Sequence, residues 1–343
     1  MRRLSVTLTT AGCLLAFASV AQAGTLSRVG ADLLRYDADL GETNRIFVST
    51  DSDGVRVIDT GATVTAGAGC TAPADHEGHC AANPGQTRLE INAGDQDDYV
   101  NILPGTLNLA FVDGGAGEDE LIGGGARSGN FLDGGPGADT FEGAVMVDYH
   151  TRTNPLLVTI GDDLANDGEA GEGDNISSEA IGVEGGAGND DMTVLDSPSV
   201  QHHTLLEGVD GADHLSILRQ TETGSIFGGT GPDVIHNEAQ YGLVYGANGD
   251  DLIFGGPGPQ GLEGVGGDDV IRGLGGADHL FGNRGADEFL PGHGEDHVAG
   301  GHGPDTIYAR DGQRDTLSGG PGKEDRARVD RGLDKVFDME ELF

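Results

Sequence analysis

The sequence predicts an all-β chain wound as a parallel β-roll, a β-solenoid of glycine- and aspartate-rich nonapeptides with an irregular N-terminal β cap. Three observations carry that expectation. A unit G-G-x-G-x-D-x-U-x, with U a bulky apolar residue, appears in full from Gly114 to Ile122, and again starting at Gly134, Gly185, Gly228 and Gly300. From Gly228 to Tyr308 the nine-residue phase never slips. Across that run every eighth position is apolar: Ile235, Val244, Ile253, Leu262, Ile271, Leu280, Phe289, Val298 and Ile307. A short strand burying one such side chain has no core of its own, and only stacking of successive units closes one.

Each conserved position of the unit has its own reason. A turn this tight needs positive φ or close backbone approach, which a Cβ obstructs, hence the glycines. The sixth-position aspartate supplies a hard oxygen, and turn carbonyls supply more. Ca²⁺ takes about six to eight such oxygens at roughly 2.3–2.6 Å, more than one loop offers, so a second loop must share the ion.

These units resemble the repeats-in-toxin (RTX), or hemolysin-type calcium-binding, repeat of secreted bacterial proteins. The resemblance is strong over residues 113–327 and weak before them. It implies that six residues form a Ca²⁺-binding turn and three form a strand, that two units make one coil, and that each ion lies between loops two units apart. Carried onto this chain, one edge holds Asp233, Asp251, Asp269, Asp287 and Asp305 without a gap. The other edge holds Gly242, Gln260, Asp278 and Asp296, so two of its positions lack the carboxylate. An asymmetric pair of ion ladders is expected. With the earlier repeats, the side-chain ligands expected for several Ca²⁺ ions are Asp119, Asp139, Asp190, Asp213, Asp233, Asp251, Asp269, Asp278, Asp287, Asp296 and Asp305.

The remaining segments follow in order. Residues 1–23 read as a secretory signal peptide: Arg2 and Arg3, then an apolar stretch through Leu14, Leu15, Phe17 and Val20, then Ala21-Gln22-Ala23 as a small-residue cleavage site. Cleavage there starts the mature chain at Gly24 in a secreted, extracellular protein. Residues 24–112 show alternation at Arg45–Ser49, Gly54–Ile58 and Arg88–Asn92, and a decayed repeat at Gly94–Val100. They are either a β-rich cap continuing the solenoid or a small separate β domain. Cys70 and Cys80, close together in an exported chain, are expected to form a disulfide closing a polar loop. Residues 113–327 form the repeat roll, with an insert near 143–184 whose acidic stretch Asn166–Asn175 is either a further Ca²⁺ site or a solvated loop. Residues 328–343 form a C-terminal cap, preceded and opened by the basic Arg326, Arg328 and Arg331.

Composition excludes several functions. The chain holds 58 Asp plus Glu against 19 Lys plus Arg, a formal charge of −39, and removal of Arg2 and Arg3 makes it more negative. Nucleic acid and anionic membranes are therefore poor partners. After the leader, no apolar run is long enough for membrane insertion. No zinc-protease, nucleophile-elbow or P-loop pattern is present, and His214, His236, His279, His293, His297 and His302 mostly occupy variable positions expected to face solvent. No enzyme activity is expected. The function expected is that of a secreted Ca²⁺-binding repeat protein that folds on its ions and serves a structural, cell-surface or adhesion role, with a surface or matrix polysaccharide or protein as partner. The alternative is a glycan-active extracellular β-helix enzyme with an unrecognised site.

Overall fold

The structure, a computed structural model, describes residues 23–82, 87–105, 109–124, 129–143, 145–162, 164–195, 203–218 and 223–343. The expected signal peptide lies, up to residue 22, outside the described residues. Among the described residues every regular element is a strand, and no helix is long and apolar enough to cross a membrane.

The chain winds as a parallel β-solenoid. One continuous sheet of 16 strands runs from Thr63–Ala66 at the N-terminal end to Lys335–Phe337. The opposite face is divided into a sheet of 8 strands toward the N-terminus and one of 11 toward the C-terminus. In the unbroken run of repeats, alternate units feed alternate faces. Ile235, Ile253, Ile271, Phe289 and Ile307 are in register on the 11-stranded face. Val244, Leu262, Leu280 and Val298 are in register on the long sheet. All nine are fully buried in one core that also takes in the N-terminal apolar residues. Burying such a side chain removes it from water at a gain of about 1.5–3 kcal/mol.

The two faces differ in a way the repeat does not announce. Strands of the 11-stranded face are as short as expected, such as Leu252–Phe254 and Val270–Arg272. Those of the long sheet run on, as in Thr223–Thr230, Tyr241–Asn248 and Gln260–Gly266. Pairing resumes there beyond the first glycine of the next unit, at residues held in left-handed conformation: Gly229 at φ 113°, Ala247 at 79°, Val265 at 83° and Asn283 at 70°.

At the N-terminal end, Leu33–Asp37 and Arg45–Thr50 pair in parallel with Arg88–Asn92 and Tyr99–Ile102, so both faces of the roll begin before the first full repeat. Antiparallel strands then close the end. Ala23–Arg28 pairs with Leu33–Asp37, Arg45–Thr50 with Gly54–Asp59, and Gly54–Asp59 with Glu77–Ala81. Cys70 and Cys80 are joined. The segment between them is a hairpin of Thr71–Ala74 and Glu77–Ala81, not the loop expected, because it adds to the edge of the 8-stranded sheet.

The insert is also more ordered than either reading of its acidic stretch. The 11-stranded sheet begins here, with Gly168–Glu169 at its edge antiparallel to Leu156–Ile160, and Asn175–Ile176 ends the 8-stranded one, so the change of sheet falls within this segment. Asp167 is buried, its Oδ1 accepting the Thr159 N–H at 2.6 Å and its Oδ2 the Ile176 N–H at 3.0 Å. Asp174 is buried beside it and accepts the Tyr149 hydroxyl at 2.8 Å. These acids are spent on holding the segment closed. Past residue 328, Lys335–Phe337 and Glu341–Leu342 extend both faces by a further coil.

Candidate metal centre

Each turn brings its sixth-position aspartate to the same place, because the eighth-position side chain two residues later is fixed in the core. On the edge where the long sheet crosses to the 11-stranded face, the aspartates form a ladder. Asp251 Oδ1 accepts the Asp233 N–H at 2.9 Å, Asp269 that of Asp251 at 2.9 Å, Asp287 that of Asp269 at 2.9 Å, and Asp305 that of Asp287 at 3.0 Å. Asp213 and Asp325 continue it at its two ends. On the other edge, Gln260 donates its backbone N–H to Asp278, Asp278 to Asp296 and Asp296 to Asp315, each at 2.9 Å. An earlier run on the 8-stranded side links Asn44, Asp98, Asp119, Asp139 and Asp174 in the same manner.

The second carboxylate oxygen is the informative one. Oδ2 of Asp119, Asp139, Asp213, Asp233, Asp251, Asp269, Asp278, Asp287, Asp296 and Asp305 is buried with no hydrogen-bond partner. A buried oxygen without a partner carries a desolvation cost of about 1–3 kcal/mol, more when charged. Ten of the eleven expected ligands thus present the same unsatisfied oxygen. Asp190 differs: its Oδ1 accepts the Leu156 N–H at 2.9 Å and its Oδ2 the Gly186 N–H at 3.1 Å.

The turn backbone completes the donor set. Gly267 sits at φ 136°, and a Cβ there would run into the carbonyl oxygen of Gly249 in the preceding coil. Glycine lets that carbonyl press against the next turn. Among the described residues no three His, Cys, Asp or Glu side chains converge. The oxygen count must therefore come mostly from carbonyls, with one carboxylate per turn, which is hard-oxygen chemistry suited to Ca²⁺ rather than to a nitrogen- or sulfur-seeking metal.

Burial drives the electrostatics. It pushes the carboxyls of Asp139 and Asp269 up to about 8 and those of Asp98, Asp233, Asp278, Asp305 and Asp315 up to about 7. Asp119, Asp213, Asp251 and Asp287 rise to about 6. The backbone N–H bond opposes the rise in each case but does not cancel it. Neighbouring acids such as Asp251 and Asp287 beside Asp269 add to it. These turns favour a proton or a cation over bare charge.

Sequence reading missed Asp98, Asp174, Asp315 and Asp325 as members of these ladders. Their turns lack the full glycine pattern or carry extra residues. A shorter signature, Asp-x-apolar, marks all four: Asp98 with Val100, Asp174 with Ile176, Asp315 with Leu317 and Asp325 with Ala327, each apolar residue buried. Of these, Asp174 has its Oδ2 occupied by Tyr149. Among the described residues the histidines join no group of three or more metal-holding side chains, although the rings of His214 and His236 lie 5.8 Å apart and those of His279 and His297 5.5 Å apart. His236 is half-buried and stacks on Phe254 with ring centres 4.3 Å apart, and His214, His279 and His297 are exposed.

No curated protein matches this chain. Residues 243–259, 263–298 and 292–323 match the RTX calcium-binding nonapeptide repeat, in 4 copies. The ladders at Asp251, Asp269, Asp278, Asp287, Asp296 and Asp305 lie within those stretches, so this part of the chain carries RTX calcium-binding nonapeptide repeats.

Proposed function

We propose that this chain is an exported, non-catalytic scaffold that folds when Ca²⁺ enters between successive turns, and that the folded roll then serves at a cell surface or in an extracellular matrix. The observation that carries this reading is the row of buried Oδ2 atoms without partners along both edges. Ca²⁺ bound there would supply two positive charges and a demand for many oxygens. Asp233, Asp251, Asp269, Asp287 and Asp305 would hold it on one edge, and Asp278 and Asp296 on the other. The chain's own part is to aim one carboxylate oxygen and the turn carbonyls into the gap between coils, and to keep water out with the core beneath. The charge of −39 opposes compaction in the absence of cations, and each ion would relieve it. Such coupling makes binding free energy into folding free energy. The leader-like residues 1–23 support an extracellular setting, where Ca²⁺ suffices for sites of modest affinity.

The test is a Ca²⁺ titration of the chain from Gly24 onward, followed by far-ultraviolet circular dichroism with Mg²⁺ as control. A cooperative gain of β signal with Ca²⁺ and not with Mg²⁺ is expected. A chain fully folded in chelator would overturn the folding half of the proposal.

A further inference from the structure

Gln260 stands where the repeat calls for aspartate. Its unit, Gly255-Gly256-Pro257-Gly258-Pro259-Gln260-Gly261-Leu262-Glu263, matches the nonapeptide at every other conserved position. The side chain is buried and, unlike the aspartates around it, fully satisfied. Its Oε1 accepts the Gly256 N–H at 3.0 Å. Its Nε2 reaches into the preceding turn and donates to the carbonyls of Asn237 at 3.0 Å and Ala239 at 2.7 Å. Those carbonyls are the first and third of their unit. A side-chain amide carries two N–H donors and an acceptor, so it answers the carbonyls on one side and its own turn on the other.

We infer that the turn pair 237–242 and 255–260 is a cation site of this roll whose ion has been replaced by the Gln260 amide, giving one rung that closes without metal. The inference rests on the calcium reading for the neighbouring turns. Its position fits such a role. Gln260 is the first rung of the second ladder, donating its backbone N–H to Asp278, and the sixth position before it, Gly242, has no side chain to offer. Side-chain nitrogens meet turn carbonyls at two other places, though neither side chain is fully satisfied as Gln260 is. Asn44, the first rung of the run through Asp98, turns its Nδ2 on the carbonyls of Ala93 at 2.7 Å and Glu42 at 3.1 Å. Arg152, at the change of sheet, donates to the turn carbonyl of Gly135 and is balanced by Glu172 at 3.1 Å.

The experiment compares the chain from Gly24 onward with its Gln260→Asp and Gln260→Ala variants, counting bound ions at saturating Ca²⁺ by native mass spectrometry and following the Gly256 amide by hydrogen exchange. Gln260→Asp is expected to bind one ion more than the parent, and Gln260→Ala to bind the parent's number while its Gly256 amide exchanges about tenfold faster. An unchanged ion count in a folded Gln260→Asp variant would overturn the inference. If the parent itself binds no Ca²⁺, the function proposed above fails, and the amide clamp is then judged by the exchange alone: faster exchange in Gln260→Ala supports it, and unchanged exchange overturns it.

Discussion

Asp269 holds its neighbour with one carboxylate oxygen and leaves the other unanswered: Oδ1 accepts the Asp251 N–H at 2.9 Å, while Oδ2 is buried without a partner. The two oxygens have separate tasks, register and charge. Asp269→Asn keeps an acceptor for the Asp251 amide and removes the charge. It is expected to raise the Ca²⁺ midpoint by on the order of tenfold and to lower its steepness. Asp278→Asn, in the ladder that begins at Gln260, is expected to do less, because fewer rungs lie on its side. Ca²⁺ titrations followed by circular dichroism compare the two, and equal effects would count against unequal ladders.

Acidity should act in opposite directions with and without metal. An aspartate in the unfolded chain titrates near about 3.9, whereas Asp269 and Asp139 in the fold are raised to about 8 and Asp233 and Asp305 to about 7. Between these values the folded chain holds more protons than the unfolded one. Its stability is therefore greatest on the acid side and is lost as pH rises through about 6 to 8. In a chelator the melting temperature should be higher at pH 5 than at pH 8. With Ca²⁺ present, protons compete for the same oxygens, so the Ca²⁺ midpoint should rise on acidification. Thermal melts in chelator and Ca²⁺ titrations at the two pH values read the two trends, and a metal-free melting temperature that climbs with pH would contradict the buried carboxyls.

Val265 occupies a turn position at φ 83°, and Val209 does the same at φ 80°. A β-branched side chain is strained there, at a cost of about 1–3 kcal/mol. Val265→Gly is expected to stabilise the Ca²⁺-loaded roll by about 0.5–1 kcal/mol, after the extra freedom glycine gives the unfolded chain is set against the relief. Urea unfolding in Ca²⁺ measures it, with Gly229→Val, at φ 113°, as the reverse substitution expected to destabilise.

The Cys70–Cys80 link spans 10 residues of sequence. Closing a loop of that size stabilises by about 2.5 kcal/mol in the chain-entropy account. Replacing both cysteines by serine should loosen the hairpin and its neighbour Gly54–Asp59, seen as faster hydrogen exchange there, and leave the Ca²⁺ midpoint unchanged. A shifted midpoint would show that the end of the roll and its ladders fold as one unit.

What the sequence made legible was whatever rests on phase. Ile235 to Ile307 could be placed in the core because the nine-residue phase holds throughout. Their division between two faces, with Asp233 to Asp305 along one edge, followed from the two-unit coil that the family resemblance implies. Asp98 and Asp315 did not, because their turns break the glycine pattern while keeping the aspartate two residues before a buried apolar side chain. Asp174 follows Asp139 on its ladder across 35 residues, too far for spacing to reveal. Gln260 could be seen as a departure, but its partners are the backbone carbonyls of Asn237 and Ala239, which no residue type advertises. The long strands of one face depend on left-handed residues at Ala247 and Asn283, where the repeat would have glycine.

The division of one face into two sheets gives the molecule an unequal resistance to tension. Along most of its length a pull on the axis is borne by hydrogen bonds on both sides. At the change of sheet the long side is carried by the short strand Met146–Asp148, which pairs with Phe131–Asp133 before it and Gly182–Glu184 after it. The opposite side passes its load through the buried side chains of Asp167, Asp174 and Tyr149 instead of a strand ladder. A roll anchored at its two ends would yield first at that point, separating into a shorter N-terminal and a longer C-terminal piece, each still wound.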